Sequence, residues 1–411
     1  MTNEVLQKTA SDEQNVSSSN GLEPSLRFTG FYENWHEKYI KDVADVIGGG
    51  TPDTTKLEYW NGNIQWFTPT EIGHNKYVNK SKRTITEKGL KNSSAKLLPP
   101  KTILLTSRAT IGECSIIEKE CATNQGFQSL VPNSLINNEF CYYLINTKKK
   151  ELLRKASGST FLEISNSEIK QIKCKFPSLL EQQKIADFLF LVDRRIEKQR
   201  QLVESLKKYK RGLVFHLFNK NNPINKSIPM RDLLTEINDR NSVGLRVCSV
   251  AVIKGIVDQI EHLGRSFSAS DTSKYRRVHF GDVVYTKSPT GDFPFGIVKQ
   301  SKIKEDVAVS PLYGVYKPSS YSTGNLLHLY FEQYQYANNY IRSLAQKGAK
   351  NTINITTQHF LEKNIIFPYN EVDRVYFSNF FEKLNKLIKF NEGELEKAQS
   401  LKKGLLQQMF I

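Results

Sequence analysis

Long apolar runs are missing from this chain. No stretch of its 411 residues approaches the roughly 18 consecutive apolar residues of a membrane span, which argues against a membrane protein. Cysteine is sparse and scattered. The five thiols, Cys114, Cys121, Cys141, Cys174 and Cys248, form no Cys-x-x-Cys pair and have no histidine pair at zinc-ligand spacing beside them. They read as buried structural thiols, with nothing to suggest an oxidising compartment. Catalytic signatures are lacking too: no Gly-x4-Gly-Lys-[Ser/Thr] phosphate loop, no Gly-x-Ser-x-Gly elbow and no His-Glu-x-x-His. Pro99-Pro100 is followed by Lys101, not by an aromatic that could stack on a flipped base. Pro52-Asp53 and Glu168-Ile169-Lys170 lie too far apart to read as one nuclease site. Gly48-Gly49-Gly50 before Thr51-Pro52 reads as a turn, because no phosphate-binding pattern follows it.

Acidic charge is also in deficit. With 58 Lys and Arg against 42 Asp and Glu, the net charge is +16. That points to a polyanionic partner, nucleic acid first and an anionic membrane second. Residues 1–27 are polar, without a signal-peptide core, and read as a disordered tail; a cytoplasmic protein is expected. The length exceeds what one core normally supports.

What the chain does contain is a repeat. Apolar residues Ile185, Phe188, Leu189, Val192, Ile196, Val203, Leu206, Leu213 and Leu217 recur at constant offset as Phe377, Phe380, Phe381, Leu384, Ile388, Leu395, Ala398, Leu405 and Met409. Each run follows an Ile-x12-Pro stretch, and each carries a basic-Gly-Leu step, Arg211-Gly212-Leu213 and Lys403-Gly404-Leu405. The spacing predicts two long helices with one-sided stripes, which a lone helix in water leaves unsatisfied. The economical solution pairs them antiparallel through Ile185, Leu189, Val192, Ile196, Val203, Leu206 and Leu213 on one side. Phe377, Phe381, Leu384, Ile388, Leu395, Leu405 and Met409 supply the other. The alternative is that each stripe is buried on its own neighbouring domain. A mid-helix glycine costs about 1 kcal/mol relative to alanine, so Gly212 and Gly404 imply close approach of a second helix, within the pair or from a partner. Phe215, Phe218, Phe410 and Ile411 read either as docking surface or as hairpin core.

Strand-like runs precede each helix: Ile103-Leu104-Leu105, Cys114-Ser115-Ile116-Ile117 and residues 127–131, then Val283-Val284-Tyr285, Gly296-Ile297-Val298 and residues 312–316. Asn219-Lys220-Asn221-Asn222-Pro223 breaks the chain between them. The expected fold is α+β: two globular mixed α/β domains, 28–156 and 220–346, joined by helical spacers, 157–219 and 347–411. The long helices form a coiled-coil-like antiparallel pair with pseudo-two-fold symmetry.

Both globular segments carry basic and polar clusters suited to DNA. In the first, Lys56, Lys76, Lys80, Lys82 and Arg83 lie among Trp66, Thr68, Thr70 and Asn75. In the second, Lys274, Arg276, Arg277, Lys287 and Ser288 lie among Tyr275 and Tyr285. Lys and Arg neutralise phosphates, whereas Asn, Gln, Ser, Thr and Arg read base edges. Thr51, Ser107, Arg108, Thr110, Asn124 and Gln125 complete the first candidate set, and Thr290 and Ser310 the second.

Several motifs together resemble the specificity subunits of type I restriction-modification systems. They are Phe28-x-Gly30-Phe31-x3-Trp35, Gly49-Gly50-Thr51-Pro52, Tyr59-Trp60-x-Gly62-x-Ile64-x-Trp66, Leu97-Leu98-Pro99, Ala109-Thr110-Ile111-Gly112 and Ala122-Thr123-Asn124-Gln125. Pro177-Ser178-x-x-Glu181-Gln182-Gln183-Lys184-Ile185-Ala186 looks like that family's spacer. The second copy departs from it, with Glu371-Val372-Asp373-Arg374 in place of the Glu-Gln-Gln-Lys letters and Ser310-Pro311 in place of the Asn-Gln step. The resemblance implies two target-recognition domains, each reading one half of a split, asymmetric site in double-stranded DNA. It also implies a non-catalytic chain that recruits two modification (methyltransferase) subunits and restriction (motor-nuclease) subunits. S-adenosylmethionine, ATP and Mg would then reside in those partners, and no cofactor or metal in this chain. The helix pair would act as a ruler between half-sites. The rival expectations are a self-sufficient methyltransferase or nuclease, and a non-specific nucleic-acid-binding scaffold.

Overall fold

The hydrophobic stripes are realised as two continuous 39-residue helices, Leu179–Leu217 and Glu371–Met409, each about 58 Å long at 1.5 Å per residue. The computed structural model describes residues 6–8, 23–158, 162–265, 268, 270–344, 346–347 and 353–410. Two units emerge, 1–199 with 394–411 and 200–393, so each helix begins in one unit and ends in the other.

In the first unit a five-stranded sheet runs in the order Ala44–Gly48, Gln128–Pro132, Ile103–Leu105, Cys114–Ile117, Tyr77–Val78. Its pairs are antiparallel except the last. A three-stranded sheet places Trp60–Phe67 between Cys121–Thr123 and Arg83–Ile85. The all-buried Ile103–Leu105 shows why its three apolar residues form a central strand: both faces are covered. Helix Asn138–Thr147 is capped by Asn137, whose side chain accepts the Phe140 amide at 3.0 Å.

Ile185 and Leu189 of the first long helix share one core with Leu405 and Met409 of the second and with Phe410 just beyond it, and Asp193 pairs with Lys402 at 2.6 Å. That core also holds Trp35, Phe140 and Ile164 of the globular part. The two expected solutions for the stripe are therefore combined: helix on helix along one edge, helix on domain along the other.

The last residues of the expected disordered tail are folded. Leu26–Phe28 is a strand, paired antiparallel with Leu6–Lys8; residues 1–5 and 9–22 lie outside the described residues. Arg27 is 6% exposed and donates from Nε and Nη2 to the two carboxylate oxygens of Glu181, both at 2.8 Å. Trp35 Nε1 donates to the same carboxylate at 3.4 Å. Glu181 sits in the first turn of the helix, where the helix dipole favours an anion. Arg27→Lys keeps the charge and loses the fork, so it is expected to cost about 1.5–3 kcal/mol. An unchanged urea midpoint would show that the fork does not hold this segment.

The second unit repeats the plan with different residues. A four-stranded antiparallel sheet runs Leu234–Glu236, Gly314–Pro318, Val283–Tyr285, Val298–Gln300. Asn225–Pro229 pairs with Asn364–Pro368 just before the second long helix, as His36–Tyr39 pairs with Lys173–Phe176 before the first. Val214 and Leu217 share a core with Phe381, Leu384 and Ile388, and Lys207 meets Glu392 at 2.8 Å. The end of one helix thus meets the start of the other, an antiparallel pairing. The breaker cluster helps cap the helix, since Asn222 Nδ2 donates to the His216 and Leu217 carbonyls, both at 3.4 Å, and Asn225 just beyond it donates to the Leu217 and Asn219 carbonyls at 2.6 and 2.9 Å.

One expectation about the helices changes, and one open alternative is decided. A methyl group at Gly212 or Gly404 would meet no atom within 4 Å, so close packing inside the pair is not what places glycine there. Phe218 and Phe410, read as either docking surface or hairpin core, belong to the cores, at 3% and 8% exposure, whereas Phe215 stays exposed, stacked on Tyr336. Ile411 lies outside the described residues.

Candidate nucleic-acid interface

In the first unit the Gly-Gly-Thr-Pro turn is held from beneath by two indoles. Trp66 Nε1 donates to the Gly50 carbonyl at 2.9 Å and Trp60 Nε1 to that of Asp53 at 3.1 Å. A Cβ at Gly49 would fall 2.0 Å from the Asn124 carbonyl oxygen, so only glycine lets the turn lie against residues 123–125. This close approach brings Thr51 into a hydrogen bond with Gln125. Thr55, Lys56 and Gln125 are exposed along the same stretch. Asp53 accepts from the Thr55 hydroxyl at 2.7 Å and its amide at 2.9 Å, which holds its carboxyl below the ordinary value. A hydrogen bond to Tyr59 raises the Lys56 ammonium.

A second loop springs from the end of the strand Ile103–Leu105. Thr106, fully buried, accepts the Glu113 amide at its hydroxyl at 3.1 Å and closes residues 107–112. Thr286 does the same in the second unit, accepting the Ile297 amide at 3.0 Å and closing residues 287–296. The base of the loop is conserved between the units while its length and letters differ. Both loops contain a non-glycine residue in the left-handed region, Ala109 at φ 59° and Lys287 at φ 53°, as strained functional loops often do. Thr106 and Thr286 were not among the candidate residues, although each is marked in the sequence as the threonine that closes an equivalent apolar strand.

The candidate residues separate by accessibility. Lys82, Arg83, Thr70, Asn75, Arg108, Thr110, Lys274 and Ser288 are exposed, as are Lys56 and Gln125. Thr51, Thr68, Asn124, Tyr275, Arg276, Arg277, Lys287, Thr290 and Ser310 are half-buried. Trp66, Ser107 and Tyr285 are interior, at 3%, 0% and 0% exposure, and cannot touch a duplex in this conformation. Tyr285 donates to the Phe295 carbonyl at 2.8 Å and stacks on Phe360. Lys76 is drawn inward: it pairs with Glu139, reaches Tyr143 Oη at 2.8 Å, and burial lowers its ammonium despite that carboxylate.

Several cations are already committed. Arg108 pairs with Glu163 at 2.8 Å. Arg276 donates to Asn238 at 2.8 Å and the Ile237 carbonyl at 3.1 Å, and Arg277 holds Asp306. Asp306 also bonds His279 at 2.8 Å, and these partners, Arg277 first, keep its carboxyl below the usual range. Thr68 donates to Glu71 at 2.6 Å, and Asn124 caps the Gly126 amide at 2.9 Å. The five cysteines are free and buried, and burial raises every thiol. Among the described residues no group of three or more His, Cys, Asp or Glu is placed to hold a metal, and no helix is long and apolar enough to cross a membrane.

Each unit thus carries a sheet with polar loops, mounted on part of both long helices. Residues 32–208 match the type I restriction modification DNA specificity domain. Over 180 residues the chain is 42% identical to the type I restriction enzyme MjaIX specificity subunit of Methanocaldococcus jannaschii, covering 43% of this chain and 42% of that protein. It is 30% identical over 159 residues to the EcoR124I/EcoR124II specificity subunit of Escherichia coli, covering 37% and 39%. The matched part thus spans about two fifths of the length of these relatives. The fold likeness extends further. A type I restriction-modification S subunit from M. genitalium aligns over 95% of this chain and 99% of its own, with TM-score 0.58 at 14% identity. A chain from a study of type I R-M complex assembly aligns over 92% and 98%, with TM-score 0.53 at 13% identity.

Proposed function

We propose that this chain is the DNA sequence-specificity subunit of a type I restriction-modification complex and is itself non-catalytic. The observation that carries the proposal is the match of residues 32–208 to the specificity domain, in a chain that builds the same plan a second time. Each recognition domain, 28–156 and 220–346, reads one half of a bipartite, asymmetric target. The helices in 157–219 and 347–411 set the gap and dock two methyltransferase subunits, and the motor-nuclease subunits join through them. S-adenosylmethionine, ATP and Mg act in those partners. Cytoplasmic work on DNA suits the five free thiols.

The exposed residues Lys56, Lys82, Arg83 and Gln125 form an accessible part of the first reader, with Lys274 and Ser288 in the second. Phosphate contacts supply affinity and base contacts supply sequence. Exposed apolar residues Tyr376, Phe380, Leu387 and Phe390 on the second long helix leave it a face for partner subunits. Mapping adenine methylation genome-wide, in cells with and without the chain, tests the proposal. Loss of one split motif when the chain is absent is expected; an unchanged methylation pattern would refute it. Methyl transfer by the purified chain alone would favour a self-sufficient enzyme.

A further inference from the structure

Arg83 combines an unusual restraint with an unused capacity. Its guanidinium carbon lies 3.6 Å from the centroid of the Trp60 ring and 5.7 Å from that of Trp66. Trp60 cannot drift, because its Nε1 is bonded to the Asp53 carbonyl and its ring meets Trp66 edge-on at 5.1 Å and 88°. The Arg83 backbone is tied as well, paired with Trp66 in the three-stranded sheet. Among the described residues no oxygen accepts a hydrogen bond from the guanidinium, and no carboxylate pairs with it. A ring face fixes the plane of an arginine without consuming any of its five N–H donors. The other candidate arginines, Arg108, Arg276 and Arg277, have all spent donors on protein oxygens.

We infer that Arg83 is a specificity-determining residue that reads one guanine in the first half-site, through the O6 and N7 acceptors of the major-groove edge. This rests on the proposed reading of the chain as a DNA specificity subunit. The choice of base follows from chemistry. Arginine only donates, and guanine alone presents two adjacent acceptors to the major groove. Adenine pairs one acceptor with a donor, cytosine offers a donor, and thymine a single acceptor beside a methyl group. A phosphate can be held by a lysine's point charge as well as by an arginine fork, whereas the fixed plane of Arg83 suits a fork that must align with two acceptors in one base plane. Because Arg83 is exposed and stacks on an indole that stays in place, its replacement leaves the core intact.

The test maps adenine methylation by the full complex carrying wild type, Arg83→Lys or Arg83→Gln. One half-site of the wild-type motif is expected to contain a guanine at which both variants lose about ten- to a hundredfold in discrimination. The other half-site and the gap stay as they were. In binding assays with the same complex, 7-deazaguanine at that position weakens wild type and leaves Arg83→Lys unaffected. A motif unaltered by Arg83→Lys overturns the inference. So does a uniform loss at all sites in Arg83→Gln that Arg83→Lys restores, the behaviour of a phosphate contact. A wild-type complex that yields no motif would instead refute the specificity reading. Should Arg83→Gln fail to fold, Arg83→Lys with an unchanged melting midpoint carries the test.

Discussion

Seven residues inserted after Leu206, matched by seven before Glu392, are expected to lengthen the preferred gap between half-sites by about three base pairs. The two positions face each other, since Lys207 and Glu392 are 2.8 Å apart, so matched insertions extend both helices at one level. Seven residues add about 10.5 Å of helix, or roughly three base-pair steps along a duplex. They also return the apolar stripe to within about 20° of its former direction. An insertion in one helix alone would instead put Leu206 and Leu213 out of register with Phe381 and Leu384, and the expected result is lost stability without a new gap. The readout is the methylation motif. If the matched variant methylated only the parental spacing, the helices would not set the gap.

Glu332→Gln is expected to destabilise the second unit by about 3 kcal/mol or more. Glu332 ends the helix Tyr321–Glu332 and gathers three donors: Lys299 Nζ at 3.3 Å, Lys210 Nζ at 3.2 Å and His328 Nε2 at 3.2 Å. Burial alone would raise the Glu332 carboxyl; His328 and the two lysines outweigh it and hold it far below the carboxylate range. His328 acts as a neutral donor, not a cation. Its Nδ1 accepts the Gln300 amide at 3.0 Å, which leaves the ring proton on Nε2, and burial lowers its basicity. The charge that matters therefore comes from Lys299 and Lys210. Lys299 is 3% exposed, and burial lowers its ammonium against the pull of Glu332. A depressed carboxyl stabilises the fold at pH above its unfolded value, and that contribution fades as pH falls toward the folded one. Wild type thus keeps the contribution through neutral pH, where Glu332→Gln lacks it and leaves Lys299 without an anion. Urea unfolding at neutral pH checks this. A midpoint equal to wild type would show the cluster to be energetically idle, whereas partial recovery in Lys299→Met with Glu332→Leu would confirm its electrostatic origin.

Periodic features were legible in the letters because periodicity is a local property. The recurrence of Ile185, Leu189 and Leu213 as Phe377, Phe381 and Leu405 gave two helices of equal length, and the Asn-rich break after Leu217 marked the first one's end. Strands such as Ile103–Leu105 and Val283–Tyr285 were readable for the same reason. The direction of single side chains was not. Trp66, Ser107 and Tyr285 have residue types found at nucleic-acid interfaces, yet each points into a core. Lys76 belongs to a basic run, but an aromatic and acidic pocket around Tyr143 and Glu139 removes it from the surface. Gly212 and Gly404 were read as close approaches of a second helix, within the pair or from a partner, and the pair makes none there.

From its letters alone this chain declared a duplicated α+β architecture, a basic surface and a lack of recognisable catalytic motifs, because repeat spacing, charge and motif content are sums over residues. Tertiary structure decided which cations remain free. Arg83 and Arg276 differ little in sequence context, but one lies on an indole with its donors open while the other is bonded to Glu236, Asn238 and a backbone carbonyl. That difference depends on what distant strands bring alongside, Trp60 in one unit and the 236–238 segment in the other. Which side chains can reach a base is settled by such non-local neighbours, and no window of sequence contains them.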